Sequence, residues 1–371
     1  MSEWKEYKLS DICPFITDGK HGDCKDEINS GYYFISAKDV RDGKIVYNNS
    51  RQITNADFQE THRRTNLSAG DIVITNSGTI GRMAIAKDIP ETRRTTFQKS
   101  VAIVKPNHQL VSTEFLYYRL LSKFDLLVGL AGGTTQQNLL LGDLRDFDIT
   151  IPGIAKQNAI ASILISLDNK IDLLHRQNKT LEQLAETLFR QWFFEEVDEN
   201  WAIGKFGDIV ELNYGKGLKE EIRTGIGFPV IGSNGIVGYH RDYLVEGPGI
   251  VIGRKGTLGK VIYLFDNFYP IDTTYFVKSK INSVGLFYEY FLLKTLGFDE
   301  MNSDSAVPGL NRDIALSAEI RISSPEKIKE FNCQCSILFN KLNYNNNQIR
   351  TLTQLREALL PKLMSGEVRV K

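Results

Sequence analysis

The sequence predicts an α+β protein in which two similar globular domains alternate with two long helices that pair as an antiparallel coiled coil, all built on an internal pseudo-twofold repeat. Three observations lead there. Displaced by 171 residues, Asn169-Lys-Ile-Asp172 meets Asn340-Lys-Leu-Asn343 and Thr180-Leu-Glu-Gln-Leu-Ala-Glu186 meets Thr351-Leu-Thr-Gln-Leu-Arg-Glu357, with no gap needed from Thr134 to Met364. Each copy then changes character in the same order, from short runs broken by Gly, Asn and Pro to a long stretch with helical periodicity. Finally, 371 residues suffice for two or three domains, each with its own core.

The elements follow in chain order. Upstream of the strict repeat the register drifts by a few residues, as loops allow. Asp71-Ile-Val-Ile-Thr-Asn-Ser-Gly-Thr-Ile-Gly81 still answers Gly249-Ile-Val-Ile-Gly-Arg-Lys-Gly-Thr-Leu-Gly259. Asp71-Ile-Val-Ile-Thr, Ser100-Val-Ala-Ile-Val, Gly249-Ile-Val-Ile and Thr274-Tyr-Phe-Val are β-branched or aromatic runs of strand length. Glu114-Phe-Leu-Tyr-Tyr-Arg-Leu-Leu and Phe287-Tyr-Glu-Tyr-Phe-Leu-Leu predict one helix per domain, its apolar face turned to the core. After Ile151-Pro152-Gly153 the glycines stop. Ile160, Leu164, Leu167, Ile171, Leu174, Asn178, Leu181, Ala185, Leu188 and Trp192 then form a heptad seam. After Ser323-Ser324-Pro325 the matching seam is Phe331, Cys335, Leu338, Leu342, Asn345, Ile349, Leu352, Arg356, Leu359 and Leu363. A helix of roughly 40 residues is about 60 Å long, too long to hide against one small domain, so each helix is expected to pair with the other. That pairing would set the globular domains at opposite ends. Asn178 and Asn345 interrupt the seams where a polar residue commonly fixes register. The expected boundaries are a globular domain over 1–152, a spacer helix over 153–198, a second globular domain over 199–323 and a second spacer helix over 324–371.

Composition narrows the function. Forty-five Lys and Arg balance forty-five Asp and Glu, so the chain lacks the overall basic excess of many nucleic-acid binders. The balance is uneven: Arg63 to Lys105 carries an excess of five positive charges and Arg254 to Lys280 an excess of three. Both surround the same repeated segment. Cys13, Cys24, Cys333 and Cys335 are too few and too awkwardly spaced for a disulfide framework or a zinc site, so a reduced, cytoplasmic protein is expected. No apolar signal region opens the sequence, and the longest apolar stretch, near Ala159 to Leu167, is far short of a membrane span.

The loops between strands supply the candidate ligand contacts. Asn76-Ser-Gly-Thr-Ile-Gly-Arg82 and Arg254-Lys-Gly-Thr-Leu-Gly-Lys260 combine glycines, which let a backbone approach closely, with hydroxyl and cationic groups suited to phosphate oxygens. Ser77, Thr79, Arg82, Arg254, Lys255, Thr257 and Lys260 are the candidates there. Thr134-Thr-Gln-Gln-Asn138 and Gly309-Leu-Asn-Arg312 add Thr135, Gln136, Gln137, Asn311 and Arg312, side chains of the kinds that read adenine and guanine edges. Lys20, His21, Arg63, Arg64, Arg93, Arg94, Gln98, Lys216, Lys219 and Asn234 complete the set, for base or backbone contacts alike.

Catalytic signatures are missing. The ten prolines include no adjacent pair, which removes an amino-methyltransferase motif of the Asn-Pro-Pro-Tyr kind, and Gly259-Lys260 is followed by Val261 rather than the Ser or Thr of a phosphate-binding loop. His-x-Glu and His-Glu-x-x-His are absent, and the five histidines are scattered. An Asp/Glu-x-Lys nuclease site assembles only in three dimensions, and nothing in the sequence signals one. These residues describe a two-headed binding protein with a helical spacer, nucleic acid being the favoured ligand. An adaptor that works through its coiled coil, or an enzyme with an unrecognised site, are the alternatives.

Trp4-Lys-Glu-Tyr-Lys-Leu-Ser-Asp-Ile recurs as Trp201-Ala-Ile-Gly-Lys-Phe-Gly-Asp-Ile. With the Gly-Thr-x-Gly turns, the Ile151-Pro152 exit, Gln157 and the closing Leu360-Pro-Lys-Leu-Met-Ser-Gly-Glu367, the chain resembles the specificity subunit of type I restriction-modification systems along essentially its whole length. It departs at Ile322-Ser-Ser-Pro325, where an isoleucine-proline exit is usual, and at Asn332 to Cys335, which replaces an aliphatic helix start. The resemblance implies two target-recognition domains, each reading one half of a bipartite, asymmetric double-stranded DNA target. It implies helices that set the gap and dock two modification (methyltransferase) subunits, and restriction subunits joining the complex. S-adenosylmethionine, ATP and Mg would belong to those partners. This chain would bind no cofactor or metal and hold no catalytic residue.

Overall fold

The computed structural model describes residues 4–132, 137–199, 201–281, 284–298, 300 and 309–370. The chain forms two compact units, one of Met1–Ile171 with Thr351–Lys371 and one of Asp172–Arg350.

The first unit begins with β1 (Lys5–Lys8), α1 (Leu9–Ile12), β2 (Phe15–Asp18), β3 (Tyr33–Ile35), β4 (Val40–Arg41), β5 (Lys44–Ile45) and α2 (Asn55–Thr65). Then come β6 (Ile72–Thr75), β7 (Met83–Ile85), β8 (Thr95–Phe97), β9 (Val101–Lys105), α3 (Thr113–Ser122), α4 (Phe124–Gly129), α5 (Leu141–Arg145), β10 (Asp148–Ile151) and the long α6 (Ile154–Arg190). The β-branched runs become the centre of a four-stranded antiparallel sheet, β2-β9-β6-β7. All four residues of β6 are buried, as a strand covered on both faces requires. β3 and β8 pair in parallel, and β1 pairs antiparallel with β10, setting Lys5 opposite Ile151.

The start of α6 and the end of the second long helix lie in the same core, where Ile160 and Leu164 are buried with Leu363 and Met364. Arg356 meets Asp168 at 2.8 Å, and the Tyr118 hydroxyl donates to the same carboxylate at 2.6 Å, so the two helices run antiparallel here. Gln157 is fully buried and satisfied: its amide nitrogen donates to the carbonyls of Leu110 and Pro152, and its oxygen accepts from Ser112 N–H. Trp4 lies beneath the Arg119 guanidinium and the Lys156 ammonium, each 5.6 Å from its ring.

The second unit repeats the plan with β11 (Ala202–Lys205), α7 (Phe206–Ile209), β12 (Val210–Tyr214), β13 (Phe228–Gly232), β14 (Gly235–His240), β15 (Gly249–Gly253), β16 (Val261–Leu264), β17 (Tyr269–Pro270) and β18 (Thr274–Ser279). It closes with α8 (Phe287–Thr295), α9 (Arg312–Leu316), β19 (Glu319–Ile322) and α10 (Pro325–Ser365). Its sheet, β12-β18-β15-β16, matches β2-β9-β6-β7 strand for strand. The β11–β19 and parallel β13–β17 pairs match β1–β10 and β3–β8. Here the core is aromatic. Phe189 of α6 touches Tyr288, Phe291 and Phe331, and Phe339 packs on Phe287. Trp201 takes Lys327 over its ring at 5.0 Å, as Trp4 takes Lys156.

Two sequence expectations resolve in this unit. The departure at Ile322-Ser-Ser-Pro325 does not delay the helix, because Pro325 opens α10, a position where its missing N–H costs nothing. Asn332, unusual for an aliphatic helix start, is buried and accepts the Tyr288 N–H at 2.9 Å. Asn345, fully buried, donates to Asn178 Oδ1 at 2.9 Å, and Asn178 donates to Asn346 Oδ1 at 2.7 Å. The two polar seam positions are each other's partners. Beside them Ala185 and Cys335 are buried in one cluster, so the helices run antiparallel in this unit too.

Candidate nucleic-acid interface

In the first unit the sheet register gathers the candidate loops at one end. β2 ends at Asp18 opposite Ala102, β6 ends at Thr75 opposite Val101, and β7 starts at Met83 opposite Ile74. The segments leaving these strands therefore lie side by side. The turn bearing Ser77, Thr79 and Arg82 is held tightly. Thr75 donates its hydroxyl to the Thr79 carbonyl and accepts the Arg82 N–H at 2.9 Å. Gly78 and Gly81 adopt φ of 77° and 83°, the left-handed region where a side chain is strained. Ser77 bridges to Asn138 and the Leu139 N–H donates to the Asn76 carbonyl at 2.8 Å, which brings exposed Gln137 alongside. Thr135 and Gln136 lie outside the described residues. Lys20 N–H donates to the Phe97 carbonyl and Lys99 N–H to the Lys20 carbonyl, so Lys20 and His21 sit beside Gln98.

Much of the positive charge here is already paired. Asp18, only 6% exposed, holds Arg64 Nη2 at 2.6 Å and His21 Nε2 at 2.8 Å, while Lys20 Nζ lies 3.4 Å from Glu60 and 3.5 Å from Asp57. Arg63, exposed in the last turn of α2, turns back on the Gln59 carbonyl. Arg93 and Arg94 are not with the rest. They precede β8 and Gln98 follows it, so Arg94 and Gln98 are four steps, about 13 Å, apart along extended chain. Arg93 pairs with Asp88 at 2.8 Å, and Arg94 lies 6.0 Å from the Tyr32 ring.

The second unit builds the same end. β12 finishes at Tyr214 opposite Tyr275, β15 at Gly253 opposite Thr274, and β16 begins at Val261 opposite Ile252. Leu310 N–H donates to the Arg254 carbonyl at 2.9 Å and Lys255 bridges to Gly309, the counterparts of Leu139 on Asn76 and Ser77 on Asn138. Gly256 and Gly259 take φ of 80° and 68°. On this scaffold the Arg254 guanidinium lies 4.9 Å from the Tyr214 ring and the Arg312 guanidinium 5.4 Å from the same ring. Lys260 Nζ donates to the Asn234 carbonyl and side-chain oxygens at 2.8 and 3.0 Å. Lys216, exposed, lies two residues after Tyr214, its N–H on the Pro270 carbonyl, and Thr257 is exposed on the turn. Lys219 opens a short turn with Glu220 and Glu221. Asn311 has a structural duty: its side-chain oxygen accepts the N–H groups of Asp313 and Ile314 as the cap of α9.

Tyr214 and Asp18 were not among the residues singled out from sequence. Both are the last residue of a strand, and only pairing with a remote strand reveals that they share one register position. Burial, then the Tyr214 hydrogen bond, raises the Tyr275 phenol above its ordinary range. Among the described residues no group of His, Cys, Asp and Glu has the arrangement of a metal site, and no helix is long and apolar enough to cross a membrane. A separate cleft of about 660 Å³, lined by Phe189, Phe193, Tyr288 and Arg321 among others, holds none of the expected contact residues.

The family model described as "Type I restriction modification DNA specificity domain" matches residues 1–183 and again 198–354. The chain is 26% identical to the Type I restriction enzyme MjaIX specificity subunit of Methanocaldococcus jannaschii, over 99% of this chain and 89% of the relative. It is 22% identical to the MjaVIII specificity subunit of the same organism, over 100% and 94%. Its fold is similar to that in a crystal structure of the S subunit of a type I restriction-modification system from M. genitalium, with a TM-score of 0.64 and 21% identity over 97% of this chain and 96% of that one. Two matches to one family model, on the two halves that fold alike, show that the chain belongs to the type I restriction-modification DNA specificity family, as a specificity rather than a catalytic subunit.

Proposed function

We propose that this chain directs a type I restriction-modification complex to a bipartite, asymmetric DNA target, each globular part reading a few base pairs on either side of an unspecified gap. The observation that carries the reading is the duplicated end of the sheet. The same backbone hydrogen bonds hold Asn76 and Arg254, yet the side chains presented differ between the units. One scaffold with two sets of side chains suits a target with two unlike halves. Base edges would be met by Gln98, Gln137, Arg254 and Arg312, and phosphates by Arg82, Lys216, Lys255 and Lys260, which are exposed on the same ends. The paired helices set the gap and dock two modification subunits that bring S-adenosylmethionine. Restriction subunits with ATP and Mg complete the assembly in the cytoplasm, and this chain contributes no cofactor of its own. A chain of zero formal net charge can serve, since partner subunits supply much of the phosphate contact. Methylome sequencing of a host expressing the chain with its modification subunits tests this. A split, asymmetric methylated motif that disappears without the chain is the expected result. No new motif, with both subunits present and assembled, would favour an adaptor instead.

A further inference from the structure

Resting on that reading, we propose that Arg254 and Arg312, braced on the Tyr214 ring, are the guanine-reading element of the second unit. Two guanidinium groups share one aromatic ring, at 4.9 and 5.4 Å, and Arg254 also lies 5.6 Å from Tyr275. Each guanidinium carries five N–H donors that call for acceptors. Among the described residues the chain supplies few: Asp313 meets Arg312 only through Nε at 3.4 Å, and Asp272 offers Arg254 a carbonyl at 3.3 Å. Guanine presents two acceptors, O6 and N7, in one plane on its major-groove edge, a match for the planar guanidinium fork. The lysines nearby, Lys216, Lys255 and Lys260, are point charges that suit phosphates instead.

The two arginines are also positioned by their backbones. Arg254 donates its N–H to the Thr273 carbonyl at 2.9 Å and accepts from Leu310 N–H at 2.9 Å. Arg312 is the first residue of α9, which Asn311 caps. Tyr214, 48% exposed, contributes a rigid face that limits the rotamers of both guanidinium groups. The first unit has no such pair at the matching places. Asp18 stands opposite Ala102 where Tyr214 stands opposite Tyr275, Asn76 replaces Arg254, and Leu141 opens α5 where Arg312 opens α9. The guanine-reading pair is thus confined to one of the two half-sites.

The test uses the assembled complex with its modification subunits and duplexes carrying the methylated motif. The half-site read by the second unit is the one left unchanged when residues 1–152 are exchanged for those of another specificity subunit. Guanines of that half-site are replaced one at a time by 7-deazaguanine, which removes the N7 acceptor. Wild-type affinity should fall on the order of tenfold at one position, and Arg254→Gln or Arg312→Gln should bind both duplexes alike. Tyr214→Leu should narrow the difference while leaving the other half-site untouched. A half-site without guanine, or 7-deazaguanine duplexes bound as tightly as the parent by the wild-type complex, overturns the proposal, and that arm needs no variant to fold. Uniform weakening of all sequences by the Gln variants also overturns it, since the arginines then contact phosphates. Absence of any split motif with wild-type chain is a different failure, that of the specificity reading itself.

Discussion

Three kinds of residue show how context sets behaviour. Asn178 and Asn345 occupy seam positions whose polarity the heptad pattern exposes, but their mutual hydrogen bond is visible only in the folded unit. Replacing Asn345 with Ala leaves Asn178 Oδ1 without its donor and should cost about 1–3 kcal/mol in urea denaturation. An unchanged midpoint would show that the pair contributes nothing to stability. Tyr118 is a second case. Burial first, and then its hydrogen bond to Asp168, raises its phenol well above the ordinary 10.0. The unfolded chain ionises near pH 10 while the folded one keeps the proton, so the folded state binds more protons there and stability falls as pH rises. The urea midpoint should decline above about pH 10, and Tyr118→Phe should flatten that decline. An equal slope in the variant would assign the effect to other buried tyrosines. Among the cysteines, burial pushes the Cys13 and Cys335 thiols up to about 12, whereas Cys333 is exposed. At pH 8 an alkylating reagent should label Cys333 first in the native chain; rapid labelling of Cys335 would show that this stretch of α10 opens.

At the scale of elements, the Gly-Thr-x-Gly turns are the most constrained parts of the candidate interface. Gly81 combines φ of 83° with a packed neighbour, and a Cβ there would stand 2.7 Å from the Phe124 ring. Gly81→Ala should destabilise the chain by roughly 1–3 kcal/mol and weaken DNA binding by displacing Ser77, Thr79 and Arg82 together. Wild-type affinity in a folded Gly81→Ala chain would show that the turn's shape is irrelevant to binding. The long helices and central strands were legible in the sequence because their signals are local: heptads for α6 and α10, β-branched runs for β6, β9 and β15. Short strands such as β3 and β8 carried little signal, since three residues are too few for a period and their pairing is parallel and remote.

At the level of the whole molecule, the two globular parts should act independently. Exchanging residues 1–152 for the corresponding part of another specificity subunit should change one half of the methylated motif only, and a change in both halves would contradict independent reading. Inserting seven residues into each long helix keeps the heptad seam and should lengthen the gap while both half-sites persist. An unaltered gap would show that the helices do not set it.

The repeat, the alternation of globular parts with heptad helices, and the family could all be read from the residues alone, because each is written in residues close together or displaced by one constant interval. Which polar and charged groups remain free for a ligand depends instead on how the chain folds. Arg64 is paired to Asp18 across 46 residues, Asn311 caps a helix, and Arg93 and Arg94 stand apart from Gln98. Tyr214 became notable only when strand pairing set it beside Arg254 and Arg312. Periodicity is a property of neighbours along the chain, whereas the partner of a charge is whatever the fold carries to within a few ångströms of it, and no single stretch of sequence encodes that.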